Sequence, residues 1–164
     1  MLDRITDKKE WDLGGIMLLT MAIDYTDTYE QAQLLFREAI IVLNKHFKNN
    51  KRYNNIKAAL HINMLYRLVK AKYFDMGKCE ESAELGALFE AHFNVLIIHC
   101  EIKEFPGSHI YEALALIRKG FFKGDYRPVK LGLGYLKANN ENELYEIMLA
   151  EAGNYVANAQ GVLL

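Results

Sequence analysis

Apolar residues in this chain recur every three or four positions over long uninterrupted stretches, a period that lines one face of an α-helix and cannot line one face of a strand. Between Tyr29 and Phe47, the residues Ala32, Phe36, Ala39, Ile40, Leu43 and Phe47 fall on one such face. Tyr53 to Phe74 repeats the pattern through Ile56, Leu60, Met64, Leu68 and Ala71. Only two prolines, Pro106 and Pro128, interrupt 164 residues, so long helices are unobstructed. No stretch shows convincing strand alternation. The pattern predicts an all-α fold of about seven antiparallel helices, a helical bundle or a short repeat-like stack, in one domain spanning 1–164.

Local signals place the boundaries. Asp7 with Glu10 is the expected cap of a first helix running to about Asp24, with Gly14-Gly15 inside it marking a bend or a close helix approach. Thr28 followed by Gln31 reads as a capping box for the second helix, and Asn49-Asn50 as its stop. Gly77 offers a left-handed end to the third helix. A fourth runs from about Glu80 to Glu101. Ser108, after Phe105-Pro106-Gly107, is the expected N-cap of a fifth reaching Phe122. Pro128 fits the first turn of a sixth ending near Ala138, and a seventh fills most of Glu141 to Ala157.

Tyr29, Ala32, Phe36 and Ala39, led in by Tyr25-Thr26-Asp27, stand at offsets of three, four and three. Gly124-Asp125-Tyr126 followed by Val129, Leu133 and Leu136 repeats that frame, and Gly77-Lys78-Cys79 with Ser82, Gly86 and Phe89 repeats it more poorly. The first unit resembles the second helix of a tetratricopeptide repeat, best over residues 16–47 and second over 113–139. The resemblance implies a stack of helical hairpins that binds other proteins. The chain departs from the family in its spacing of about 47 to 51 positions against 34, and in lacking the tryptophan-glycine pair.

Chemistry-bearing motifs are few. Cys79 and Cys100 match no metal spacing. His92 and His99 share a helical face two turns apart, about 10 Å, too far to hold one zinc from one helix. Structural histidines and a buried Cys100 thiol are the expectation. Cys79, after Lys78 at a helix start, reads as an ordinary surface cysteine. Gly132-Leu133-Gly134 lies within a helix and so reads as a close helix crossing, not a phosphate loop. The sequence points to no catalytic residues, no metal and no cofactor. If an active site assembles only in space, His61, His92, His99 and Cys79 are its first suspects. The longest apolar run, Gly14 to Ile23, is too short to span a bilayer, and the polar start Met1 to Asp7 carries no signal-peptide pattern, so a cytoplasmic protein without a membrane partner is expected.

The informative anomaly is the order of charge. The net charge is −1, yet no acid occurs between Glu38 and Asp75, an interval holding Lys45, Lys48, Lys51, Arg52, Lys57, Arg67, Lys70 and Lys72. The following stretch is acidic through Glu80, Glu81, Glu84, Glu90, Glu101 and Glu104, as is the last helix. Three readings compete: internal pairing of the basic third helix with the acidic fourth, contact with a protein partner including a second copy (a homo-oligomer), or contact with phosphates. The candidate partner- or phosphate-binding residues are Lys45, Lys48, Lys51, Arg52, Tyr53 and Lys57. A surplus of tyrosine, with Tyr25, Tyr29, Tyr53, Tyr111 and Tyr126 near helix starts, suits an interface. The expected function is a non-catalytic helical protein-binding module, an adaptor, regulator or inhibitor. The alternative is a nucleic-acid-associated accessory protein using residues 45–57.

Overall fold

A computed structural model describes residues 12–74, 83–103 and 105–156. Its described residues form seven α-helices and no strand: α1 (Leu13–Ala22), α2 (Tyr29–His46), α3 (Tyr53–Phe74), α4 (Ala83–Lys103), α5 (Ser108–Lys123), α6 (Tyr126–Ala138) and α7 (Asn142–Ala152). A 3-10 turn, Ile23–Tyr25, follows α1. The all-α expectation holds. The expected caps at Asp7 and Glu10, the Gly77 stop, and Cys79, Glu80, Glu81 and Glu104 lie outside the described residues.

α3 is the hub. It packs against α1, the 3-10 turn, α2, α4 and α5. The apolar stripe read from the sequence is only part of what it buries: Ala58, His61, Ile62, Leu65, Arg67 and Val69 are also inside. A helix surrounded by neighbours needs apolar residues on several faces, which is why α3 has no single stripe. Outer helices need only one, and α2 hides Ala32, Leu35, Ala39 and Leu43 while exposing Leu34 and Ile41.

The connections follow from particular residues. Asp12 caps α1, its Oδ1 accepting from Gly15 N at 2.6 Å, so Gly14-Gly15 falls in the first turn instead of mid-helix. Among the described residues, a Cβ at Gly14 would meet nothing closer than Asp12 Oδ1 at 3.5 Å. Thr28 Oγ1 accepts from Gln31 N at 3.3 Å, and Gln31 Oε1 accepts from Asp27 N at 3.2 Å, one residue earlier than a standard capping box. α2 ends at His46 with Phe47 as its C-cap, and Asn50 leads into the next helix: its Oδ1 accepts from Arg52 N at 2.9 Å, an Asx turn before α3. Ser108 is the first residue of α5 and not its cap, because Gly107 takes the left-handed conformation (φ 82°) that carries the turn.

α5 and α6 make the closest hairpin. A Cβ at Gly132 would sit 2.5 Å from Ala113 O and 2.7 Å from Ile117, the close crossing expected of that glycine. Gly134 faces open space and has no such role. The aromatic core closes the far end, with Phe89 stacked on Phe122 at 4.1 Å and Phe121 on Tyr155 at 4.8 Å.

α4 is long and apolar enough, by length and composition, to cross a membrane. In the fold it buries Leu85, Phe89, His92, Phe93, Leu96, His99 and Cys100 on the side toward α3 and α5. Its other side stays exposed.

Candidate functional site

The acid-free interval divides when it folds. Lys45 sits in the last turn of α2, where a cation complements the helix dipole. Lys48, Lys51 and Arg52 stand exposed on the α2–α3 turn. Lys57, half-buried, lies away from them in a shallow cleft of about 220 Å³ with Val95, Ile98, His99, Ile102 and Lys103. None of these five cations joins an ion pair among the described residues. Tyr53 packs against the core and donates its hydroxyl to Asn44 Oδ1 at 2.6 Å.

The second half of the interval has a different fate. Arg67 is 2% exposed and donates to Thr26 O at 3.1 Å and Asp27 O at 2.6 Å. Lys70 Nζ donates to Asp24 O at 2.9 Å and Lys72 Nζ to Phe122 O at 2.6 Å. These cations close the ends of neighbouring elements with charge-assisted bonds. α3 and α4 do lie side by side, as internal pairing requires, but the described acid of α4 that pairs does so with α5: Glu90 takes Lys119 at 3.5 Å and Lys123 at 3.1 Å.

Arg52, at the end of the exposed group, also lines a cleft. About 510 Å³ in volume, it lies between α1 and the first half of α3, with Tyr111 of α5 at one end. Met17, Met21, Ile56 and Ala59 make it mainly apolar; Thr20, Asn55, Asn63 and Tyr111 add polar atoms, and Arg52 stands at its rim. Asn63 Nδ2 donates to Thr20 O at 2.7 Å, tying the α1 wall to α3, and Asn55 Nδ2 donates to Pro106 O at 2.8 Å, tying α3 to the turn before α5. An apolar cleft of this size with a few fixed polar groups is the usual form of a recognition site. Its methionines are adaptable, able to repack around different apolar side chains. Of the six residues singled out in the sequence, only Arg52 lines it; the α1 wall gives no sequence signal, because exposed methionines look like core.

Two polar centres lie buried in the fold. His61 and His92 meet Nδ1 to Nδ1 at 3.0 Å, both inside the protein, with the Phe36 ring edge-on to each at 4.9 and 4.6 Å. One ring must donate through Nδ1 and the other accept there, so the accepting ring is neutral in this contact. Burial, and then the neighbouring His92, push His61 down to about 3, and burial pushes His92 down to about 4. His99 stands apart, its Nε2 3.2 Å from Asn54 O, and burial pushes the Cys100 thiol up to about 12. No group of three metal-binding side chains gathers among the described residues.

The other centre joins the 3-10 turn, α3, α5 and α7. Arg118 is buried, bonds Glu151 Oε1 at 2.7 Å and lies 4.4 Å over the Tyr66 ring, which also carries Lys70 at 4.9 Å. Asp24, beside them, has its carboxyl pushed up by burial, with Lys70 acting against the shift. Nothing in the sequence spacing singled out Arg118, since its partners come from α3 and α7. Among the tyrosines expected near helix starts, Tyr25 is 83% exposed, while Tyr29, Tyr53, Tyr111 and Tyr126 pack half-buried on the core. No known protein family, no curated protein and no solved structure matches the chain.

Proposed function

We propose that this protein is a non-catalytic binding module whose α1–α3 cleft takes an acidic, amphipathic segment of a partner protein, so that it acts as an adaptor, regulator or inhibitor. The observation that carries this reading is an apolar cleft lined by Met17, Met21 and Ile56 that also takes the exposed cation Arg52, whose turn carries the exposed Lys48 and Lys51. Apolar side chains of the partner would fill the cleft and supply affinity, while its carboxylates would meet the cations and set orientation and association rate. Nucleic acid is the weaker reading, because the aromatic best placed in sequence to stack a base, Tyr53, is engaged with the core and with Asn44.

The test uses affinity capture from the native host with the full chain as bait, run beside the double variant Met21→Asp, Arg52→Glu. Met21 is 59% exposed and Arg52 lies on the surface, so the variant keeps its fold. The expected result is loss of one acidic partner by the variant alone, with binding to a generic oligonucleotide weak in both. Equal capture by both proteins, or oligonucleotide binding lost on Lys51→Glu with Arg52→Glu, overturns the reading.

A further inference from the structure

The exposed side of α4 carries a seam. Ala87, Ala91, Asn94, Val95, Ile98 and Ile102 all face outward at spacings of three and four, the arrangement by which one helix receives another. Val95, Ile98 and Ile102 are 44%, 52% and 69% exposed, although nothing charged separates them from the alanines on that face until Glu101. Small side chains occupy the first half of the seam and large ones the second.

We propose that this seam is a self-association surface on which α4 packs antiparallel against α4 of a second copy about a two-fold axis. The order of residues is self-complementary in that register and in no parallel one. With the axis between Asn94 and Val95, Ala87 of one copy lies opposite Ile102 of the other, Ala91 opposite Ile98, and Asn94 opposite Val95. Each bulky side chain therefore meets a small one, and the two Asn94 amides flank the axis, where a single polar pair fixes register. Charge agrees with the same register. Glu84 at the start of α4 and Lys103 at its end are both exposed, and antiparallel packing brings them within reach of each other at both ends of the seam. A parallel pair would set like charge against like and alanine against alanine. This inference does not depend on the α1–α3 cleft, which α4 does not line.

Sedimentation of the full chain at micromolar concentration tests it, with a mass of twice 18.9 kDa expected. Ile98→Asp, on a half-exposed position, should raise the dimer dissociation constant by roughly tenfold or more while the helical circular dichroism persists. Glu84→Lys should weaken the dimer and Glu84→Lys with Lys103→Glu should restore it. Asn94→Cys in a Cys79→Ser background should form a disulfide-linked dimer on mild oxidation, and Ala150→Cys in the same background should not. A chain that sediments as a monomer, a dimer indifferent to Ile98→Asp, or a dimer that Asn94→Cys fails to cross-link overturns the proposal.

Discussion

Arg52 and Arg67 belong to one acid-free run of sequence, and the fold treats them in opposite ways. Arg52 stands on the surface at the rim of a cleft, whereas Arg67 is 2% exposed and fastened to the backbone of the turn before α2. The difference comes from topology. α3 enters the protein at Tyr53 and is surrounded by neighbours along its later turns, so a cation there must find acceptors or lose its solvation uncompensated. A cation on the α2–α3 turn keeps its water and remains available to a partner. Charge counted along a sequence therefore overstates the binding surface: three of the eight cations in this basic run, Arg67, Lys70 and Lys72, are structural.

The comparison predicts that the inner half of α3 governs stability and its pH dependence, and the outer half governs binding and its salt dependence. The largest effect should come from acid. Below an ordinary histidine pKa of 6.5 the unfolded chain takes up protons that His61 and His92 refuse in the fold, since they are held down to about 3 and about 4. The stability these rings lend is therefore whole above about pH 6.5 and drains away as pH falls toward 4 and below. The loss should be on the order of several kcal/mol by about pH 4, measured by urea denaturation, and should shrink in His61→Leu with His92→Leu. An unchanged acid profile in that double variant would show that the pair is not buried as described.

Next in size is Arg67→Ala, expected to cost about 3 kcal/mol because it strands the Thr26 and Asp27 carbonyls as well as removing charged donors. Tyr53→Phe sits between the two regimes. It deletes the bond to exposed Asn44 and should cost under about 1 kcal/mol in the same assay. Lys51→Glu with Arg52→Glu is the smallest, within about 0.5 kcal/mol of wild type. A large loss from that last pair would mean that the outer cations are structural after all, and the contrast with Arg67 would collapse.

Much of the fold was legible because its signals are local. Thr28 and the spacing from Ala32 to Leu43 mark α2, and Tyr53 to Phe74 bounds α3, each from residues within one helix. Gly132 likewise gave away its close crossing, although Gly134 two positions on did not have one. The sites were less legible because they are assembled from distant segments. His61 and His92 were suspects separately, but their contact joins two helices that only the packing brings together. Arg118 was invisible for the same reason. Met17 and Met21 carry no local signal, because their exposure depends on α1 having no described neighbour over its outer side. The seam on α4 was hidden by its own apolar richness, since a helix with two apolar sides shows no stripe.

The central claim is that the cleft lined by Arg52, and not the buried part of the same basic run, receives the partner. Site-specific photocrosslinking in the native host tests it most directly, with the photoreactive residue at Met21 in one protein and at Ile147, an exposed apolar position on α7, in another. The account predicts an acidic protein joined at Met21 and not at Ile147, in an adduct that diminishes when Lys51 and Arg52 are reversed in charge. Equal labelling at both positions, or labelling at Met21 indifferent to that reversal, would contradict it.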